Sequence, residues 1–348
     1  MPQRSDVSQV EFTGYAFNED RVKSATSEPT VYTLRQPRPG VKRRAYVITV
    51  GVDATSDPSL RLGFAPKGAR EVERLLKEKL HSEYDVVPVE LISEYNEDST
   101  ELAQDLATKI NLQTALSILS GSNVTGAERK SIPHQEQLRA ATPDDLVVLY
   151  IASHGYADPN GKFHVLPSDI GEPAGVSEQL IDRCLKSSEQ SKACDDAREF
   201  LHHSISSDEL TQWLQTVDAG QMVLVLDSCH SGAVSGPDFK PGPMGDRGFG
   251  QLSYDKGMVV LAATQAENVD WGTLELGDRS LLTYALTHPQ TAGQTFDLKQ
   301  WLSQAEKQVP TLYGRFVKAE AQLSGSETQQ EQEPALFDFS KGRSAKNY

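Results

Sequence analysis

Two uninterrupted apolar runs stand out from an otherwise polar chain, and each stops at residues able to do chemistry. Asp145-Leu-Val-Val-Leu-Tyr-Ile-Ala-Ser153 leads into His154-Gly155, and Met222-Val-Leu-Val-Leu-Asp-Ser-Cys-His-Ser-Gly232 carries Cys229 near its end. Apolar side chains at consecutive positions predict strands buried on both faces, as in the middle of a parallel sheet. Tyr46-Val-Ile-Thr-Val-Gly51 reads the same way, with further strands at 86–92 and 257–263. Pro88 inside the second of these hints at an edge position. Between the strands the period lengthens to that of helices. Helical segments are predicted at 69–79 and at 102–120, where Ile110, Leu112, Ala115, Leu116 and Leu119 fall on roughly one face. The pattern Ser206-Ser-Asp-Glu209 is a capping box that opens a helix through Trp213 and Leu214. Further helices are expected from Ser280 and over 298–323. Strand alternating with helix predicts an α/β fold, with a mostly parallel central sheet flanked by helices as an α/β/α sandwich.

The same reading divides the chain. Residues 1–44 form a polar leader punctuated by Pro37, Pro39 and Gly40, and 45–340 form one domain, followed by a tail at 341–348. Two insertions interrupt the domain. Residues 168–204 are rich in Ser, Glu, Asp and Lys, with little apolar periodicity, and 235–255 contain Pro237, Pro241, Pro243 and several glycines. A short helix is expected within 121–143, and 329–332 read as a solvated connector.

Open α/β sheets build their sites at the carboxyl ends of their strands. Neighbouring strands ending in His154 and Cys229 would bring an imidazole to a thiol there. A cysteine attacks carbonyl carbon as its thiolate, and a histidine in reach can take the thiol proton and return it to a leaving amine. Cys229 is thus the candidate nucleophile and His154 the candidate acid/base. The N–H groups of Gly155 and Cys229 are candidate donors to the oxyanion of a tetrahedral intermediate. His230, directly after the nucleophile, is expected to shape the loop. His164, His202, His203 and His288 carry no partner pattern and read as surface or packing residues.

Composition narrows the class. With 34 basic and 49 acidic residues the formal charge is −15, which disfavours nucleic acid and anionic membranes as partners and favours basic substrates. No apolar run approaches a membrane span, and Met1-Pro-Gln-Arg-Ser-Asp-Val-Ser lacks a signal-peptide core, so a cytoplasmic location is expected. Three cysteines, one assigned to catalysis, make no disulfide framework and fit a reducing compartment. Cys184 and Cys194 lie in a polar segment and are expected as exposed or half-exposed thiols without a role. No cofactor or metal is expected. There is no zinc spacing or phosphate-binding glycine loop, and the adjacent acids Asp144-Asp145 and Asp195-Asp196 do not resemble a calcium loop.

Ser153-His154-Gly155 and Asp227-Ser228-Cys229-His230-Ser231-Gly232 resemble the caspase-fold cysteine peptidases of peptidase family C14, particularly metacaspases and bacterial caspase-like proteins. The resemblance extends over about 45–288, including the late helix Ser280-Leu-Leu-Thr-Tyr-Ala-Leu286, and returns at Pro334-Ala-Leu-Phe-Asp-Phe339. It implies a caspase-hemoglobinase fold and hydrolysis of protein or peptide substrates by a Cys-His dyad. In metacaspases an Asp two residues before the nucleophile faces the pocket for the residue preceding the scissile bond, P1. Here that residue is Asp227, which points to Arg or Lys substrates, with Arg preferred because a carboxylate can pair bidentately with guanidinium.

One departure stands out. Many metacaspase-like sequences have a second pocket acid where this chain has Gly68, within Leu62-Gly-Phe-Ala-Pro-Lys-Gly-Ala69. Asp53, Glu267, Asp270 and Glu275 are candidate replacements, and Trp271 is a candidate wall of a neighbouring subsite. Flexible segments of such enzymes often carry the cleavages that activate them. Arg183, Lys186, Lys192 and Arg198 in the first insertion, and Lys240 and Arg247 in the second, are candidate processing positions, for the enzyme itself or an upstream protease. The resemblance also raises calcium dependence, without a recognisable site here. The alternatives are a non-catalytic caspase-like scaffold or regulatory module, which retention of both Cys229 and His154 disfavours, and an α/β-hydrolase. The latter needs a small residue where Asp227 stands and a histidine after the nucleophile.

Overall fold

A computed structural model describes residues 9–16, 24–33, 43–53, 55, 61–96, 101–157, 162–170, 178–186, 190–230, 247–265, 279–288, 296–318 and 334–340. Among these residues the centre is a nine-stranded sheet. The main strands are β3 (Arg43–Val52), β4 (Tyr84–Tyr95), β5 (Leu102–Asp105), β6 (Leu146–Ala157), β9 (Gln221–His230), β10 (Val259–Gln265) and β11 (Ala335–Asp338). They lie in the order β11-β10-β9-β6-β3-β4-β5. The inner five run parallel, and β5 and β11 close the two edges antiparallel. Two short strands, β7 (Phe163–Val165) and β8 (Ile205–Ser206), continue antiparallel from the carboxyl end of β6. In the leader, β1 (Gln9–Phe12) and β2 (Thr30–Thr33) pair as a separate antiparallel ribbon.

Both faces of the sheet are covered, which is why the central strands are apolar at successive positions. Tyr46, Ile48, Val50 and Val52 of β3 join Val147, Leu149 and Ile151 of β6 in one core, packed under α2 (Lys109–Leu119), α6 (Ser207–Gln215) and α7 (Arg247–Lys256). Ala45, Val47, Val148, Tyr150, Ala152, Val223 and Val225 alternate with these and face the opposite core, under α1 (Ala65–Leu80), α8 (Leu281–Thr287) and α9 (Leu298–Leu312). A π-helical turn, Tyr313–Lys318, follows α9. At the amino edge, the buried Asp145 carboxylate accepts the N–H of Arg44 at 2.8 Å and of Thr142 at 2.9 Å, pinning the starts of β3 and β6 together. It is a structural anchor and not surface charge. No helix among the described residues is long and apolar enough to cross a membrane.

Several elements differ from the sequence expectation. The segment 102–120 is not one helix. Leu102–Asp105 pairs with the end of β4, and α2 starts only at Lys109, where the Thr108 hydroxyl accepts the N–H of Asn111. Ile110 is exposed while Leu112, Ala115, Leu116 and Leu119 are buried. Pro88 sits in a strand with neighbours on both sides, but β5 pairs only with residues 93–95, so that flank of β4 at Pro88 is not paired by β5. The short helix expected within 121–143 is α3 (Gly126–Arg129), and the capping box at Ser206 and Glu209 is present.

The first insertion is more ordered than its composition suggests. It contains α4 (Glu178–Lys186) and α5 (Lys192–His203), the latter capped by the Ser191 side chain. Cys184 and Cys194 are not exposed thiols. Both are buried and joined in a disulfide with Cα atoms 5.3 Å apart, so the expectation of unpaired cysteines in a reducing setting is corrected. The reason is local: Ile181 and Cys184 on one helix, and Cys194 and Ala197 on the other, are three apart, form the apolar stripe and pack with Tyr156 of β6. In the second insertion, residues from Arg247 onward are helical as α7.

Candidate functional site

The pairing of β6 with β9 decides what meets at the sheet's carboxyl edge. Ala152 stands opposite Asp227, Ser153 opposite Ser228, His154 opposite Cys229 and Gly155 opposite His230. The two sequence-predicted residues are therefore register partners on adjacent parallel strands. For Cys229 this placement is that of the backbone. Around His154 the chain is held firmly: its carbonyl accepts the N–H of Leu166 at 3.0 Å, and the buried Ser153 hydroxyl donates to the Leu166 carbonyl. Gly155 lies between Val165 of β7 and His230 of β9.

Two residues before Cys229, Asp227 is fully buried. Its Oδ2 accepts the Tyr150 hydroxyl at 3.0 Å, the Thr283 hydroxyl at 2.7 Å and the Ser280 hydroxyl. The Tyr150 and Thr283 hydroxyl oxygens lie 2.6 Å apart, close enough for one to donate to the other in place of Asp227, while Ser280 caps α8 by accepting the Thr283 N–H at 2.9 Å. Burial, and then the Asp227 carboxylate, push the Tyr150 phenol well above its ordinary range. Tyr150 thus stays a neutral hydrogen-bond donor. The carboxylate in this way ties the start of α8 to the strand that carries Cys229.

Gly68 belongs to the same cluster. A Cβ there would meet Thr283 Oγ1 at 3.0 Å, Thr283 Cγ2 at 3.1 Å and the Tyr150 hydroxyl at 3.4 Å. The space a side chain at position 68 would need is therefore filled by the hydroxyls that hold Asp227. Nearby, Arg279 pairs with Glu71 of α1, with Nη2 donating to Oε1 at 2.6 Å, and fixes the entry to α8. Sequence reasoning gives Tyr150, Thr283 and Arg279 no role, and Ser280 only that of a helix start. The usable signals were one tyrosine inside an aliphatic strand and a serine three residues before Thr283.

Asp53 lies just beyond β3 and is only 5% exposed. Its N–H donates to the Ser93 carbonyl at 2.9 Å, and Oδ2 lies 3.5 Å from Arg61 Nη2. The Arg61 guanidinium stacks over the Tyr95 ring, 4.5 Å from its centroid. Oδ1 is buried and makes no hydrogen bond among the described residues.

The other predicted positions are scattered. Arg183 and Lys186 are on α4, Lys192 and Arg198 on α5, and Arg198 pairs with Asp195 at 3.1 Å, so these four lie on helices rather than in a loop. Arg247 begins α7, and Lys240, Glu267, Asp270, Trp271 and Glu275 lie outside the described residues. His164 is buried, with Nδ1 2.8 Å from the Ser204 hydroxyl, and His288 stacks on Tyr284. Among the described residues one metal-capable group occurs, Glu199, His202 and His203 on α5, where Glu199 and His203 already pair at 3.0 Å.

Compared with known proteins, the chain matches the caspase-domain model of peptidase family C14 over residues 69–340. Among solved structures, one titled "structure of pro-sf-caspase-1" is similar at 10% identity and a TM-score of 0.41. The alignment covers 88% of this chain and 95% of that one. No curated protein sequence matches.

Proposed function

The chain belongs to the caspase-domain family of cysteine peptidases, and from that premise we propose that it is an endopeptidase working through Cys229 and His154. The observation that carries this reading is the register of β6 and β9, which sets His154 directly opposite Cys229 at the carboxyl edge of the sheet. His154 takes the Cys229 proton, the thiolate attacks the scissile carbonyl, and the imidazolium then protonates the leaving amine. The amides of Gly155 and Cys229 stabilise the oxyanion that forms in between. Water resolves the thioester and regenerates the thiol.

For specificity we propose basic P1 residues, Arg before Lys, with Asp227 as the acid. Its position two residues before Cys229 and the acidic charge of the chain support this. The hydroxyls of Tyr150, Ser280 and Thr283 bond Oδ2, so a guanidinium pairs bidentately with the carboxylate only where those contacts rearrange. Proteolytic processing at Arg183, Lys186, Lys192, Arg198, Lys240 or Arg247 is proposed as the activating step. The first four require local opening of α4 or α5 before a protease can bind them. Matched fluorogenic peptides ending in Arg, Lys or Asp, tested before and after limited proteolysis, examine both points. Cleavage after Arg that disappears in Cys229→Ala supports the reading, and cleavage after Asp overturns the specificity.

A further inference from the structure

Three adjacent parallel strands end together at this edge, and each delivers one group: Cys229 from β9, His154 from β6 and Asp53 from β3. We infer that Asp53 is a positioning residue that orients the His154 imidazole for its work on Cys229. The inference rests on the reading of Cys229 and His154 as the reacting pair.

The register supplies the first support. Gly51 of β3 is the partner of Ala152 of β6, so two residues further along each strand Asp53 comes alongside His154. The Asp53 N–H bonds the Ser93 carbonyl of β4, which shows the backbone keeping the course of the strand at this residue. Alternation supplies the second. Ala45 and Val47 of β3 and Val148, Tyr150 and Ala152 of β6 face one core, and Asp53 and His154 continue those two series. Gly51, in the same series, lets α1 begin against this edge, because a Cβ there would stand 2.7 Å from the Ala65 carbonyl oxygen.

The third support is chemical. Asp53 is a nearly buried carboxylate with one oxygen, Oδ1, enclosed and without a hydrogen bond among the described residues, while Arg61 reaches Oδ2 only at the loose distance of 3.5 Å. Buried acceptors are almost always satisfied, and the enclosed oxygen calls for a donor. A neutral imidazole offers one N–H and one bare nitrogen. When the N–H is held by a carboxylate, the bare nitrogen is left for the thiol proton, and the imidazolium that follows is stabilised. Such bonds are often long before substrate binds and tighten in the complex.

The rival role for Asp53 is a pocket acid that binds the P1 cation, and the two separate in kinetics. A positioning residue acts on kcat and on the thiol itself, whereas a pocket acid acts on KM and P1 preference. The test measures the rate of Cys229 alkylation by iodoacetamide at neutral pH, read by peptide mass, in wild type, His154→Ala, Asp53→Asn and Asp53→Glu. Urea midpoints confirm folding, and kcat and KM on an Arg peptide are measured in parallel. Asp53→Asn is expected to slow both alkylation and kcat by about tenfold or more, a part of the ~10²–10⁴ that positioned acid–base catalysis contributes. KM and P1 preference should hold, and Asp53→Glu should recover part of the rate. Slow alkylation in His154→Ala with wild-type alkylation in Asp53→Asn overturns this inference alone. Equal rates in wild type and His154→Ala overturn the Cys229–His154 reading and this inference with it. A changed KM or P1 preference with intact kcat makes Asp53 a pocket acid instead.

Discussion

Replacing Asp227 with alanine removes the shared acceptor of three buried hydroxyls, and the structure fixes what is left behind. Tyr150 and Thr283, 2.6 Å apart, turn one released hydroxyl proton to each other, and Ser280 keeps the Thr283 N–H, so no hydroxyl is wholly orphaned. Hydrogen bonds to a charged acceptor contribute about 1.5–3 kcal/mol each, yet three on one oxygen do not add independently. The space of the carboxylate is also emptied. Together these give a destabilisation of about 3–5 kcal/mol, in the range of other broken buried polar networks. Asp227→Asn, which keeps the volume and one acceptor, should lose only about 1–2 kcal/mol. Tyr150→Phe and Thr283→Val should each lose a similar amount, and paired with Asp227→Asn they should fall short of additivity. Urea unfolding at constant pH reads this as a lower midpoint with an unchanged m-value. Asp227→Ala within about 1 kcal/mol of wild type would refute the claim that this carboxylate holds α8 to β9.

Three further outcomes follow from other parts of the fold. Titration of unreduced native protein with a thiol reagent should find one reactive cysteine, Cys229, and three after reduction and unfolding, because Cys184 and Cys194 are joined; three thiols without reduction would contradict the pairing. Gly220→Ala should prevent accumulation of folded protein, since its Cβ would fall 1.9 Å from the Pro143 carbonyl oxygen, and a wild-type melting temperature would count against that packing. Glu209 is opposed by burial but held by Lys109 at 2.7 Å and by the Ser206 N–H and hydroxyl, so its carboxyl lies below the ordinary range. A depressed folded-state pKa means that its stabilisation is complete above the unfolded value of ~4.3 and is lost as pH falls through the folded one. Glu209→Gln should therefore flatten the acid limb of the melting profile below about pH 5, and an unchanged slope would contradict the assignment.

The strands that build the site were legible because burial on both faces leaves a continuous apolar run, and because those runs stop at His154 and Cys229. Caps were legible too, since Ser206 with Glu209, and Ser280 before its helix, are local signals. What escaped depends on contacts far apart in sequence. Tyr150, Thr283 and Gly68 meet around Asp227 only once β6, α8 and α1 are stacked, and no spacing within any one segment announces that. The insertion was misread because each of its helices buries only a narrow stripe. Two of the stripe positions are cysteines, which a polar setting disguised as surface thiols. Leu102–Asp105 looked helical because it adjoins a true helix, whereas edge pairing with the end of β4 makes it strand.

The central claim is that Cys229, activated by His154, is the nucleophile. The most direct measurement is the intact mass of the full chain after incubation with a peptidyl-arginine acyloxymethyl ketone, with the modified residue mapped by fragmentation. It is run before and after limited proteolysis. The account predicts one adduct, on Cys229, formed slowly in His154→Ala and absent in Cys229→Ala. No adduct under either condition, or an adduct that survives Cys229→Ala, would contradict it.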